Sequence, residues 1–105
     1  MGNGYRYEFY LPLKYNDGRL IEKRKFKHIK RVIEERFNGV SVHYIKILGE
    51  WRDPVTGKMI EDNNLKYEVT VYKEEKKFFL DLKEELKSAF DQKDVYIIKT
   101  KVESI

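Results

Sequence analysis

The chain has 105 residues, of which 41% are apolar and 38% are charged, so it suits one domain with one core. It contains no cysteine, which excludes disulfides, thiolate metal sites and cysteine catalysis. No apolar run approaches the roughly 20 residues of a membrane span, and no stretch resembles a signal peptide. We therefore expect residues 1–105 to form a single cytoplasmic domain with no membrane partner, in which residues 1–4 are flexible.

The charge is distributed unevenly along the chain. Lys and Arg number 22 and Asp and Glu number 18, for a net charge of +4. Residues 1–60 carry 13 basic and 7 acidic side chains, whereas residues 61–105 carry 9 and 11. A local excess of positive charge, more than a mild net charge, points to an anionic partner. The many Lys and Glu residues also resemble the composition of thermophile proteins.

The first third of the chain predicts a strand followed by a helix. Residues 5–14 alternate between apolar and polar side chains, which is typical of a half-buried strand. A turn follows, in which Asp17 is a candidate helix N-cap. Residues 20–37 have an apolar period of 3.6 and predict an amphipathic helix. Asn38 and Gly39 supply its stop signal.

The remaining two thirds predict three strands and a second helix. Residues 40–48 are rich in β-branched and aromatic side chains and predict a strand. Turn signals within residues 49–58 place the tip of a long hairpin there, and residues 65–72 alternate as its returning strand. Residues 74–90 show a second amphipathic helical pattern, and residues 93–102 predict the last strand.

The element order βαββαβ predicts a ferredoxin-like α+β fold. In that fold a four-stranded antiparallel sheet has the spatial order 4-1-3-2, and both helices lie on one face. The other face, called the open face below, is then uncovered. Strand alternation assigns to it a mixture of charged and tyrosine side chains, namely Arg6, Glu8, Tyr10, Lys66, Glu68, Thr70 and Tyr72.

The hairpin and the segment before the last strand carry the most specific sequence pattern. Residues 49–53 read Gly-Glu-Trp-Arg-Asp, and residues 90–92 read Phe-Asp-Gln. Together they resemble a family of small, mostly bacterial proteins known as a domain of unknown function, over about residues 36–96. The sequence departs from that family where Asn38 replaces an expected Pro-Asp pair. The resemblance implies a single α/β domain and no particular activity.

The first predicted helix carries the densest positive charge and is the main candidate binding site. Lys23, Lys27 and Arg31 form like-charge pairs at i,i+4, which are mildly destabilising, and cations near a helix start oppose its dipole. A placement with this cost favours an anionic partner such as nucleic acid, contacted through phosphates, with strong salt dependence. The alternative is a solvated face balanced by Glu34 and Glu35. The predicted contacts are Arg19, Lys23, Arg24, Lys27, Lys30 and Arg31.

The open face and the hairpin are candidate interfaces. Exposed apolar and aromatic side chains on a small domain favour a homodimer through the open face, with Tyr10 and Tyr72 in the contact. Glu8 and Glu68 are expected to repel phosphate there, which disfavours base stacking of the RNA-recognition type. Trp51 is a third candidate interface residue, and the alternative is that it folds back over the sheet edge.

No catalytic motif is recognisable, and we expect no catalytic residues, cofactor or metal site. The favoured hypothesis is a non-enzymatic binding module that presents its basic helix to an anionic partner, although enzymatic activity stays open. One alternative is a dimeric small-ligand binder or enzyme with a pocket at the subunit interface, using His43, Glu8 or Glu68. Another is a protein-interaction subunit that contacts its partner through the Trp51 hairpin.

Overall fold

The computed structural model describes the backbone of residues 2–52, 54–57 and 59–105, and the side chains of residues 2–46, 54–57 and 63–105. The elements are β1 (Gly2–Pro12), α1 (Lys23–Phe37), β2 (Ser41–Arg52), β3 (Met59–Val71), α2 (Lys76–Ala89) and β4 (Ile97–Ser104). The strands form one antiparallel sheet in the order β2-β3-β1-β4. The predicted α+β, ferredoxin-like βαββαβ architecture, including its strand order, is confirmed.

The core lies between the two helices and one face of the sheet. Alternation along β1 turns Tyr7, Phe9 and Leu11 inward, and all three are buried. Phe9 stacks on its cross-strand partner Tyr67 with ring centroids 5.0 Å apart. Ile33 of α1 is also fully buried, so the apolar stripe of the helix covers the sheet centre. The alternating residues of β1 and β3 therefore sort into a core face and the open face.

The start of α1 differs from the prediction. Asp17 was the expected N-cap, but Glu22 occupies that position, and the prediction was wrong. The Asp17 carboxylate instead accepts a hydrogen bond from the backbone N–H of Arg19 at 2.9 Å. The Ile21 N–H donates to the Leu13 carbonyl at 2.9 Å. These bonds close a loop after β1, and the helix begins only where that loop ends.

Both chain ends belong to the sheet. Residues 2–4, for which the sequence predicts flexibility, pair with residues 102–104 of β4. The last strand begins at Ile97, later than predicted, and Val95 packs into the core just before it. In the described ranges no helix is long and apolar enough to cross a membrane.

Candidate functional site

One flank of α1 carries four cations, Lys23, Arg24, Lys27 and Arg31, which we call the basic row. Lys23, Lys27 and Arg31 follow one another at single-turn spacing, so their side chains lie above one another on the helix. All four residues are exposed, and none of them forms an ion pair with a described residue. No acidic residue lies in the first turn of α1. The basic row therefore concentrates positive charge at the helix end where the dipole is already positive.

The other two predicted phosphate contacts have acidic partners. Arg19 Nε lies 2.6 Å from Asp17 Oδ2, and Lys30 Nζ lies 3.6 Å from Glu34 Oε1. Both pairs are exposed, and exposed ion pairs stabilise a fold only slightly. Each cation can exchange its carboxylate for a phosphate at small cost. The six predicted contacts thus divide into four cations of the basic row and two paired cations beside it.

The opposite flank of α1 joins the two helices. Lys25 Nζ donates to the last carbonyl of α2 at 2.7 Å, and His28 Nε2 lies 3.0 Å from Glu85 Oε1. Arg36 donates to Glu75 Oε2 at 3.0 Å. The His28 ring therefore contacts α2 and does not belong to the basic row. Cations on this flank are engaged within the fold, whereas those of the basic row project away from it.

A short hydrogen-bond chain fixes the start of α1. The Tyr15 hydroxyl donates to the Glu22 carboxylate and accepts from Lys25 Nζ at 2.5 Å. The hydrogen bond from Tyr15 lowers the pKa of Glu22 from its ordinary 4.5 to about 2. Glu22 is therefore ionised at physiological pH, but its charge is directed at Lys25 and not at the basic row. Sequence reasoning missed this chain because it depends on how the loop after β1 folds back towards the start of α1.

The centre of the open face holds Arg6, Glu8, Lys66 and Glu68, which we call the charged quartet. Lys66 Nζ lies 3.0 Å from Glu8 Oε2 and 3.3 Å from Glu68 Oε2. Arg6 Nε lies 3.2 Å from Glu68 Oε1. The hydrogen bond to Glu8 raises the pKa of Lys66 above its ordinary value. The charges of the quartet cancel, so the repulsion of phosphate expected from its carboxylates is largely removed.

The strand register assigns His43 to the open face. His43 pairs directly with Lys66, and directly paired residues of an antiparallel sheet share a face. Its candidate acid–base partners Glu8 and Glu68 are held by Lys66 and Arg6. Within the described ranges, no group of three or more His, Cys, Asp or Glu residues could hold a metal ion.

Two of the three predicted interface residues lie accessible on the open face. Tyr10 is 41% exposed and Tyr72 is 80% exposed. Tyr96 and Ile98 add further exposed apolar surface near the same face. The side chain of Trp51 lies outside the described residues, so its role as an interface anchor stays a prediction.

A cleft of about 610 Å³ lies at the end of β1, between the loop that follows β1 and the segment that precedes β4. This volume is within the range of small-molecule sites. The Asn63 Oδ1 atom is enclosed and has no hydrogen-bond partner among the described residues. A hydrogen bond from Lys83 lowers the pKa of Asp94, which is therefore ionised at neutral pH. The lining includes Tyr10, Tyr15, Asn63, Asn64, Asp94 and Tyr96.

Comparison with known proteins identifies a fold relative but no family. No family model matches the chain, and no curated protein matches it. The chain is similar in structure to a phage SAM lyase in complex with S-methyl-5′-thioadenosine, with a TM-score of 0.60 and 16% sequence identity. The similarity covers 95% of this chain and 92% of the lyase chain. At this identity the similarity shows a shared fold, and the resemblance to a domain of unknown function stays a prediction.

Proposed function

We propose that the protein is a non-enzymatic, cytoplasmic binding module whose basic row contacts the phosphate backbone of a nucleic acid. The supporting observation is that the four cations of the basic row are exposed and have no acidic partner among the described residues. Helix-joining cations such as Lys25 and Arg36 are engaged within the fold. The positive charge of the basic row is thus left for a partner.

The spacing of the basic row fits a polyanion better than a single small anion. Lys23, Lys27 and Arg31 extend over slightly more than two helical turns, about 12 Å along the axis. Their mutual repulsion is relieved when phosphates lie between them. Four phosphate contacts with a DNA duplex predict a slope of about −3.6 for the logarithm of the association constant against the logarithm of salt concentration. These contacts carry no base information, so the proposed binding is weakly sequence-specific.

The test is the salt dependence of oligonucleotide binding by the wild-type protein and by a Lys23→Glu/Lys27→Glu variant. Fluorescence anisotropy with short labelled single- and double-stranded DNA and RNA measures the affinity. We expect wild-type binding in the micromolar range at about 50 mM salt, weakening about 150-fold by about 200 mM. The variant removes two contacts, so its slope falls to about −1.8 and its affinity at low salt drops at least about tenfold.

A matched control is Lys76→Glu/Lys77→Glu, which makes the same charge change on α2. Both lysines are exposed, and they lie outside the basic row. We expect the control to bind within about threefold of the wild type, because only the net charge has changed. An equal loss in both variants, or no binding to any oligonucleotide at low salt, rejects the basic row as a nucleic-acid site.

A second candidate function is the binding of a thioether nucleoside in the cleft at the end of β1. This candidate is favoured by the shared fold with a phage SAM lyase that holds S-methyl-5′-thioadenosine. Tyrosine rings in the cleft offer surfaces on which a base can stack. The side-chain amide of Asn64, which also lines the cleft and is partly exposed, can exchange hydrogen bonds with the base.

Calorimetric titration with S-methyl-5′-thioadenosine tests this candidate. Tyr96 and Tyr72 are equally exposed, at 77% and 80%, but only Tyr96 lines the cleft. We expect Tyr96→Ala to weaken binding by about 5- to 150-fold through lost stacking, and Tyr72→Ala to leave it unchanged. An absence of heat at ligand concentrations up to about 5 mM, or equal weakening in both variants, rejects the cleft as a nucleoside site.

A further inference from the structure

The open face has no covering element in the described part of the chain, and its charges form a self-complementary pattern. We propose that a second copy of this chain covers the open face in a two-fold symmetric dimer. Three features support this dimer: the order of charges along β1 and β3, the ordered quartet and the exposed apolar rim. It is independent of the proposed nucleic-acid site, which lies on the helical side of the sheet.

The signs of charge alternate along both central strands. On the open face of β3, Lys66 precedes Glu68, and on that of β1, Arg6 precedes Glu8. Glu8 pairs directly with Glu68, and Tyr10 pairs directly with Lys66. The carboxylates therefore form one row across the sheet, and Lys66 with Tyr10 forms the next row. Neighbouring rows on one face are about 7 Å apart.

A two-fold axis that lies between these two rows, parallel to them, brings unlike groups together. Lys66 then lies opposite Glu68 of the partner subunit, and Glu8 lies opposite Tyr10 of the partner subunit. Each contact occurs twice, as isologous association requires. A polyanion finds no net positive charge on this face, because the charges of the quartet cancel. A second copy supplies the complementary charges without any further component.

The quartet is already ordered in the single chain. The side chains of Glu8, Lys66 and Glu68 are only 20–25% exposed and hold one another through ion pairs. Burying ordered side chains costs less conformational entropy than burying mobile ones. Exposed Tyr72 and Ile98 provide apolar contact area around this polar centre. The face thus combines charge complementarity with apolar area suited to association.

The dimer also places a second subunit beside the cleft at the end of β1. Tyr10, Asn64 and Tyr96 line the cleft, and Tyr10 and Asn64 belong to the open face as well. A copy seated on the open face then borders the mouth of the cleft. A role of the second subunit in ligand binding rests on the second candidate function. The dimer itself does not depend on that function.

Sedimentation velocity of the full chain, from about 1 to 200 µM, tests the dimer. We expect a concentration-dependent shift from monomer to dimer for the wild type. Glu68→Lys places like charges opposite each other at both symmetric contacts, and we expect it to weaken dimerisation at least about tenfold. Because Glu68 also pairs within the chain, Ile98→Lys serves as a second variant that leaves the quartet intact. The same weakening is expected of it.

Glu103→Lys is the matched control, since it makes the same substitution at an exposed position on the other face of the sheet. We expect it to dimerise like the wild type. A wild type that stays monomeric throughout, a trimer or larger assembly, or equal weakening in the control overturns the proposal. Oligonucleotide binding by Glu68→Lys separates this failure from that of the proposed function, because α1 is unchanged in this variant.

Discussion

Replacing Phe9 with alanine is expected to lower the free energy of unfolding by about 3–5 kcal/mol. Phe9 is fully buried and lies in β1, which pairs with both β3 and β4. Its ring stacks on Tyr67, so the substitution removes an aromatic contact as well as buried area. A void beneath the central strand can collapse little, because strands on both sides hold β1 in place. The loss is a large part of the about 5–15 kcal/mol typical of a small domain.

Urea unfolding followed by far-ultraviolet circular dichroism measures this effect, and Tyr10→Ala is its control. Tyr10 is the next residue of the same strand but lies on the open face and is 41% exposed. We expect its replacement to cost less than about 1 kcal/mol. Tyr10→Ala is instead expected to weaken self-association, since Tyr10 lies in the proposed dimer contact. Equal losses of stability at the two positions would contradict the assignment of the two sheet faces.

The fold could be predicted because its signals are local. Alternation along residues 5–11 assigns each β1 side chain to a face without knowledge of any other strand. The end of α1 is equally local, because Asn38 adopts the left-handed conformation and donates its N–H to the Glu34 carbonyl. Once six elements are correct in type and order, few antiparallel topologies remain.

The start of α1 could not be predicted because it depends on how the loop after β1 folds and not on residue type alone. Asp17 has the chemistry of an N-cap, but the loop after β1 folds back on the strand before the helix begins. Glu22 takes the N-cap position and is held by Tyr15. The cleft at the end of β1 escaped prediction for the same reason, since three separate segments meet there. Such contacts depend on how elements pack, which local patterns do not record.

The candidate binding site also combines features that local patterns predict with features that depend on packing. Sequence reasoning identified the cationic character of α1 and left Lys25 and Arg36 out of the predicted contacts, but it could not say what those two side chains contact. Packing against α2 engages Lys25 and Arg36, whereas Lys23 and Lys27 remain exposed on the other flank. Which cations serve the fold and which are left for a partner is decided by the position of α2. The helical period assigns each cation to one flank of α1 but does not say which flank packs against α2.

Replacing Gly4 with alanine is expected to cost about 1–3 kcal/mol in the free energy of unfolding. A Cβ atom at Gly4 would lie 2.6 Å from the backbone carbonyl oxygen of Val71, closer than real contacts allow. Because that neighbour is backbone, it cannot move aside without displacing the end of β3. The substitution therefore strains the pairing of β1 with β3 at this end of the sheet.

Gly39→Ala is the matched control for Gly4→Ala. A Cβ atom at Gly39 meets nothing within 4 Å, so its replacement is expected to change stability by less than about 0.5 kcal/mol. Thermal unfolding of both variants measures the difference. If Gly4→Ala is as harmless as the control, the first residues of the chain are not tied to β3 in solution. A selective loss instead shows that the sheet extends to residues 2–4. The sequence predicts these residues to be flexible because glycine and asparagine have low strand propensity.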